Sequence, residues 1–409
     1  MPRLLYASLM RFPNEKAHSL QIAQNCEAFV QAGYEVTLYV PMRFNPPELR
    51  AIRDPFAHYG VRPCFRVRRL PVLDIMPWTR GRAQRVAFYL IVASFGLALL
   101  LCLLFSRADV YYSRDEWLIL LLSLVKPRAR LVYEAHLFAQ TRQGARAQRW
   151  AATRVGHVVA ITPRLARDLI EQRGAQPERV LVAHDGYQAR RFAALPTRRA
   201  ARQALGWDET AFVVGFVGRL EMLNMDKGVG RLVEALATLE GVTLALVGGP
   251  PEGVQRLAAQ WATCGGVSER FLALGQLPPV DIPRFLAACD ACAMPHPFTV
   301  QFAYYTSPLK LFEYMAAGCA IVASDLPSWA DVVQHDQSAL LVPPDDSAAL
   351  RQAVLRLRDD HALRLRLGQA ARQQAQAYTW EARAQRIRAF IEGRDCPQAQ
   401  GSAEAHAGF

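Results

Sequence analysis

Residues 307–328 read SPLKLFEYMAAGCAIVASDLPS, and this stretch decides the fold class. Ser307 suits a helix N-cap and Pro308 the first helical position. The segment LKLFEYMAA is rich in helix formers, and Gly318 is placed to end it. AIVASD then follows at once, a short charge-poor run of the kind buried in a parallel sheet. A helix delivered directly into a buried strand is half of a βαβ unit.

Working outward, the same rhythm fills the chain. RLLYASL, EVTLYVP, DVYYSR, RLVYEAH and HVVAIT alternate with helical stretches in the first half. AFVVGFVG, VTLALVGG, FLALGQ, ACAMP, AIVASD and ALLVPP repeat the pattern after residue 205. Two doubly wound, Rossmann-like α/β domains are expected, facing a central cleft, with ligands at the carboxyl ends of the strands. The Arg/Ala-rich stretch RRFAALPTRRAARQAL marks the junction near 188–200. The expected division is 1–190 and 191–378, a helix over 379–393 that crosses back to the first domain, and a disordered tail over 394–409.

Composition excludes several classes. With 409 residues, 52% hydrophobic and 21% charged, the chain is a folded globular protein of more than one core. Its eight cysteines are scattered, which fits a reduced compartment better than a disulfide scaffold. Cys289-x2-Cys292 with His296 nearby has no second ligand pair, so no metal site is expected there. MPRLLYASL reads as a first strand rather than a signal sequence.

Charge is uneven. Residues 1–195 carry 28 Lys and Arg against 14 Asp and Glu, a net +14, whereas 196–409 carry 20 against 22. The first half therefore favours an anionic partner, or is a basic solvated surface. Only four of the 48 basic residues are lysines: Lys16, Lys126, Lys227 and Lys310. Where lysine survives in so arginine-rich a chain, its position matters.

Lys227 follows the strand FVVGFV, the turn Gly218-Arg219 and the segment EMLNMD, and it opens an amphipathic helix. Arg219 and Lys227 thus occupy a strand exit and a helix start, where a diphosphate is held by a guanidinium fork and a point charge. Lys310 and Glu313, three apart, share one face of the 307–318 helix. A carboxylate in so apolar a setting needs partners, and a ribose diol supplies two donors.

The chain resembles the retaining glycosyltransferases of family 4. The matching stretches are FPNEKAHSLQIAQNCEAFVQAGYEVTLYVP, YEAH, VGRLEMLNMDKG, SPLKLFEYMAAGCAIVASDLPS and YTWEARAQRI. The resemblance implies the two-domain glycosyltransferase B fold. It also implies transfer of a sugar from a nucleotide diphosphate sugar, UDP- or GDP-linked, with retained anomeric configuration. No bound cofactor or metal is implied. By the same resemblance, His136 would contact the donor sugar. Gly218, Arg219 and Lys227 would hold the diphosphate with Ser307, Pro308, Leu309 and Lys310, and Glu313 would bind the ribose. One departure is Tyr305, where many members carry a Glu that touches the sugar. The polar loop HPFTVQFAYYTS is expected to substitute for it.

A partner signal lies at residues 86–105, VAFYLIVASFGLALLLCLLF, which carry no charge over a length sufficient for a bilayer core. WLILLLSLV at 117–125 is nearly as apolar. Three readings stand: a buried helix pair, insertion into one leaflet, or a full span. Basic residues flank the run on both sides, so charge assigns no orientation. The expected partners are a nucleotide sugar, a saccharide or lipid-linked acceptor, and an anionic membrane surface. The expected location is the cytoplasm, peripheral at the inner face of the cell membrane. The alternatives are an epimerase or phosphorylase on the same fold, or a non-catalytic binder of nucleic acid or anionic lipid. Nucleic acid is disfavoured, because the arginines lack interleaved aromatics.

Overall fold

The computed structural model describes residues 1–14, 17–222 and 225–394. Lys16 and nearly all of the tail expected to be disordered lie outside the described residues. Two compact units are present. Among the described residues, one is built from Met1–His184 with 380–394, the other from Asp185–Thr379.

The first unit holds a seven-stranded sheet. Its strands are β1 (Arg3–Ala7), β2 (Glu35–Met42), β3 (Arg66–Pro71), β4 (Val110–Ser113), β5 (Leu131–Ala135), β6 (His157–Ala160) and β7 (Val180–Val182), in the order β3-β2-β1-β4-β5-β6-β7. All neighbours pair in parallel. The inner strands are buried on both faces and so appear in the sequence as apolar runs. β3 (RVRRLP) did not stand out in the strand pattern: it lies at the sheet edge, largely exposed and charged, as edge strands often are.

The run at 86–105 lies within a helix, Arg82–Phe105. Ala87, Ile91, Phe95, Leu99 and Leu103, spaced by four, form its buried stripe, and the helix packs on β2 and β3. β4 follows directly in the middle of the sheet, so a bilayer-spanning helix would have to give up this packing.

The C-terminal helix Trp380–Ile391 belongs to the first unit. Trp380 Nε1 donates to Gln24 Oε1 at 2.7 Å, and Arg383 Nε donates to the His184 carbonyl at 2.9 Å. Both side chains are almost fully buried.

The second unit holds β8 (Phe212–Val217), the two-residue arms β9 (Glu221–Met222) and β10 (Met225–Asp226), then β11 (Val242–Val247), β12 (Phe271–Ala273), β13 (Ala291–Met294), β14 (Ala320–Ser324) and β15 (Leu340–Val342). The main sheet runs β12-β11-β8-β13-β14-β15, all parallel. The Arg/Ala-rich stretch is not an open linker. Its residues Arg198–Leu205 form a helix in this unit, where Arg202 donates to Asp290 Oδ2 at 2.5 Å. The unit therefore starts at Asp185, ahead of the junction read from composition.

Candidate functional site

In the second sheet the strand order reverses between β8 and β13. At such a switch point the crevice beyond the carboxyl ends of the strands is open to a ligand. Two loops leave there. One carries Gly218 and Arg219 out of β8, and the other carries Pro295 and His296 out of β13.

The β8 loop returns through β9 and β10 to Lys227, whose backbone N–H donates to the Leu220 carbonyl at 2.9 Å. Gly228 turns the chain with φ of 77°, and a Cβ there would lie 1.8 Å from the Pro295 carbonyl oxygen. Only glycine lets the loop before the helix Val229–Leu236 close onto the β13 exit. Lys227 is thereby held beside both strand ends.

The amine of Lys227 is pushed down to about 8, by burial first and then by the charges of Lys310 and Arg219. Three cations from three segments thus act on one region. Lys310 has a carboxylate partner, Glu313 Oε2 at 2.7 Å. Among the described residues, neither Arg219 nor Lys227 has a carboxylate within 4.0 Å. The crevice therefore carries uncompensated positive charge and is suited to a multiply charged anion.

The helix Leu309–Ala317 brings Lys310 and Glu313 to this place. Tyr314 anchors it, its hydroxyl accepting the Val217 N–H at the end of β8 at 2.8 Å. Leu311 through Ala316 are all buried, Glu313 among them. The helix is therefore enclosed nearly all round rather than on one face. Its start also differs from the expected one. Pro308 takes ψ of 116° and stands at the N-cap position itself, so the helix begins at Leu309. Ser307 does not cap it. Its Oγ instead accepts the Asp185 N–H at 2.9 Å.

HPFTVQFAYYTS is not a loop throughout. Thr299 caps a short helix, Val300–Tyr304, and Tyr305 is buried. His296 escaped notice as a site residue. It is buried against Phe302 and Trp329, with ring centroids 5.0 and 5.6 Å away. Burial first, then the Lys227 charge, pushes it down to about 3, so it adds no charge to the cluster. Its signal in the sequence was its place: it follows β13 as Arg219 follows β8.

Cys289, Cys292 and Cys319 are buried thiols of this unit, and burial pushes the Cys289 and Cys292 thiols up. Cys289 and Cys319 point their sulfurs at backbone carbonyls of Phe285 and Leu286.

In the first unit, His136 follows β5. Arg114 donates to Gln21 Oε1 at 2.8 Å, which leaves the Gln21 amide nitrogen to face His136 Nδ1, a long contact of 3.5 Å. His136 Nε2 lies 2.5 Å from Glu134 Oε1. A carboxylate only accepts, so Nε2 carries the proton of this bond. Glu134, 1% exposed, also binds Tyr112, Asn25 and Arg383. Burial alone would raise its carboxyl, but Arg383 and His136 outweigh burial and hold it far below the usual range. Glu134 is thus a strongly held partner of His136.

Residues 19–186 match the family model described as a glycosyl transferase 4-like domain, and 211–360 match the one described as glycosyl transferases group 1. The D-inositol 3-phosphate glycosyltransferase of Salinispora arenicola is 31% identical over 276 residues, covering 63% of this chain and 56% of that protein. The chain thus spans little more than half the length of such curated relatives. Sucrose-phosphate synthase of Thermosynechococcus elongatus superposes with a TM-score of 0.75 at 19% identity, over 96% of this chain and 99% of that one. Anabaena HepE in complex with UDP-glucose superposes with a TM-score of 0.68 at 19% identity, over 96% and 100%. Two parallel-sheet units, the matched models and these neighbours agree: the chain belongs to the group 1 glycosyltransferases and has the glycosyltransferase B fold.

Proposed function

We propose that this chain transfers a sugar from a UDP- or GDP-linked donor to a hydroxyl of a saccharide or lipid-linked acceptor, with retention at the anomeric carbon. The observation that carries this reading is the convergence of Arg219, Lys227 and Lys310 at the β8/β13 switch point. Arg219 and Lys227 hold the diphosphate, and Glu313 accepts hydrogen bonds from the ribose diol. As the bond from the anomeric carbon to phosphate oxygen breaks, charge accumulates on the leaving diphosphate. Fixed cations in a partly dry crevice stabilise that charge more than they stabilise the bound donor. The acceptor oxygen bonds to the anomeric carbon on the departing face, and its proton passes to the leaving phosphate. No enzyme carboxylate serves as nucleophile. HepE in complex with UDP-glucose supports a nucleotide-sugar donor.

The test is a panel of nucleotide sugars read by thermal stabilisation. A donor at about a hundred times its dissociation constant adds roughly 2.7 kcal/mol to native stability. The shift should depend on pH through Lys227. Its amine is charged below about 8 and neutral above. The stabilisation by UDP should therefore shrink as pH rises through 8. The unliganded protein behaves oppositely. Between 8 and the ordinary 10.5 the unfolded chain binds more protons at this lysine, so its contribution to stability rises with pH. Lys227→Arg, charged throughout, should flatten the loss of UDP binding. A panel with no stabilising nucleotide at any pH would overturn the reading.

Glu313→Gln should raise the donor KM roughly ten- to a hundredfold with little change in kcat, because a charge-assisted hydrogen bond worth ~1.5–3 kcal/mol is lost from ground and transition states alike. Steady-state kinetics check this. A variant that unfolds while wild type stays folded would make Glu313 a structural residue.

A further inference from the structure

The Arg82–Phe105 helix has two unlike sides. Its buried stripe rests on the sheet, and its other side is as apolar as a core yet uncovered. Val86, Leu97, Leu101, Leu104 and Phe105 are more than half exposed, with Leu104 at 74% and Phe105 at 91%. The neighbouring helix Glu116–Leu122 extends this surface. Gly96 lets the two close together, since a Cβ there would lie 2.9 Å from Leu121 Cδ2. Beside that contact is an apolar groove of about 230 Å³ that includes Val92, Trp117 and Leu124. Leu124 and Val125, just past the second helix, are exposed as well.

Charge around this face has one sign. From residue 75 to 108 there is no Asp or Glu, while Arg80, Arg82 and Arg85 precede the apolar run and Arg107 follows it, all exposed. The helix joins the end of β3 to the start of β4 in a parallel sheet, so it runs against the strands. Its arginine-bearing start therefore lies at the carboxyl edge of the sheet. At that edge Phe44 and Trp78 stack edge-to-face at 5.1 Å, both exposed. Aromatic rings beside basic side chains and a fully apolar face are what a lipid headgroup boundary accommodates.

We propose that the outward face of the Arg82–Phe105 helix, with Trp117, Leu124 and Val125 beside it, docks onto the interfacial region of an anionic bilayer. The helix lies flat, with its inner stripe kept on the sheet and its outer side chains in the acyl boundary. The four arginines meet the headgroups. A second copy is the weaker occupant. A twofold pairing of this face would bring the arginines of both copies to a rim that has no Asp or Glu over residues 75–108, whereas anionic headgroups neutralise them. Water is weaker still as cover, because monomers rarely expose so continuous an apolar surface. This surface is independent of the proposed chemistry. If both hold, a lipid-linked acceptor would present its headgroup at the sheet edge that also carries His136.

The test is flotation of the full chain with vesicles of phosphatidylcholine, alone or mixed with phosphatidylglycerol. Wild type should float with the mixed vesicles. Salt should weaken this without abolishing it, because screening leaves the apolar part intact. Combined Leu97→Ser, Leu101→Ser and Leu104→Ser should lower partitioning by more than about tenfold, since each removes exposed apolar area. Combined Arg80→Gln, Arg82→Gln and Arg85→Gln should remove the preference for phosphatidylglycerol and leave residual binding. Circular dichroism melts show whether each variant is folded. Wild type that stays unbound with both vesicles overturns the proposal, as does a folded leucine variant that binds like wild type. A dimer that the leucine changes convert to monomer, with no flotation of either, assigns the face to a second copy instead.

Discussion

Replacing Lys227 with alanine is expected to cut kcat/KM for the sugar donor by two to three orders of magnitude. That equals ~2.7 to 4 kcal/mol of transition-state stabilisation, the usual loss when a fixed partner of developing charge is removed. Arg219→Ala should act in the same direction. The lysine variant has a second signature that separates function from folding. Lys227 is held charged in a partly dehydrated place, beside Lys310 and Arg219, so near neutral pH it opposes folding. Its removal should leave the melting temperature unchanged or raise it, while turnover collapses. Function and stability trade off at such sites. Initial rates over a range of donor concentrations, paired with a melt, decide the matter. Wild-type turnover in Lys227→Ala would remove the diphosphate site from this crevice. Lost turnover with a lower melting temperature would make the lysine structural.

Arg383→Ala should have the largest effect on stability. Arg383 and Glu134 are both 1% exposed and lie 3.2 Å apart, and the arginine also reaches Asn25 and the His184 carbonyl. Deleting one partner of a buried pair leaves the other charge unpaired, at a cost of ~3–5 kcal/mol. For a unit of this size that is a fall in melting temperature on the order of 10 °C. Adding Glu134→Gln should restore part of it, because no charge is then stranded. The pH dependence follows from the low carboxyl of Glu134. The folded value lies below the ordinary 4.5, so its stabilisation is present above that pH and is lost as pH falls towards the folded value. Arg383→Ala should therefore lose less stability on acidification than wild type does. A melt of Arg383→Ala that matches wild type at neutral pH would show that the pair contributes nothing.

Periodicity and burial pattern were enough to read the paired sheets, because strands buried on both faces leave apolar runs that polar connections cannot imitate. FVVGFV, VTLALV and AIVAS all became fully buried strands. Arg219, Lys227, Lys310 and Glu313 could be expected near one another because each sits within a few residues of a strand end or helix start. Position along the chain is then nearly position in space. Edge strand β3 escaped because exposure dilutes its apolar signal with arginine. The cap expected at Ser307 is not made, because residue type alone does not show where Pro308 lets the helix begin.

The sequence by itself determined two α/β units, the strand-exit loops and an apolar, arginine-flanked helix. Tertiary structure alone decided which side of that helix is covered, since nearly every side chain of 86–105 is apolar and periodicity has nothing to contrast. It alone brought His296 beside Lys227, through the closure of Gly228 on Pro295. It alone paired Arg383 with Glu134 across 249 positions of chain. Local pattern reports what a residue does to its own segment. Long-range pairing depends on sheet order and on the packing of distant segments, and these arise only when the units close.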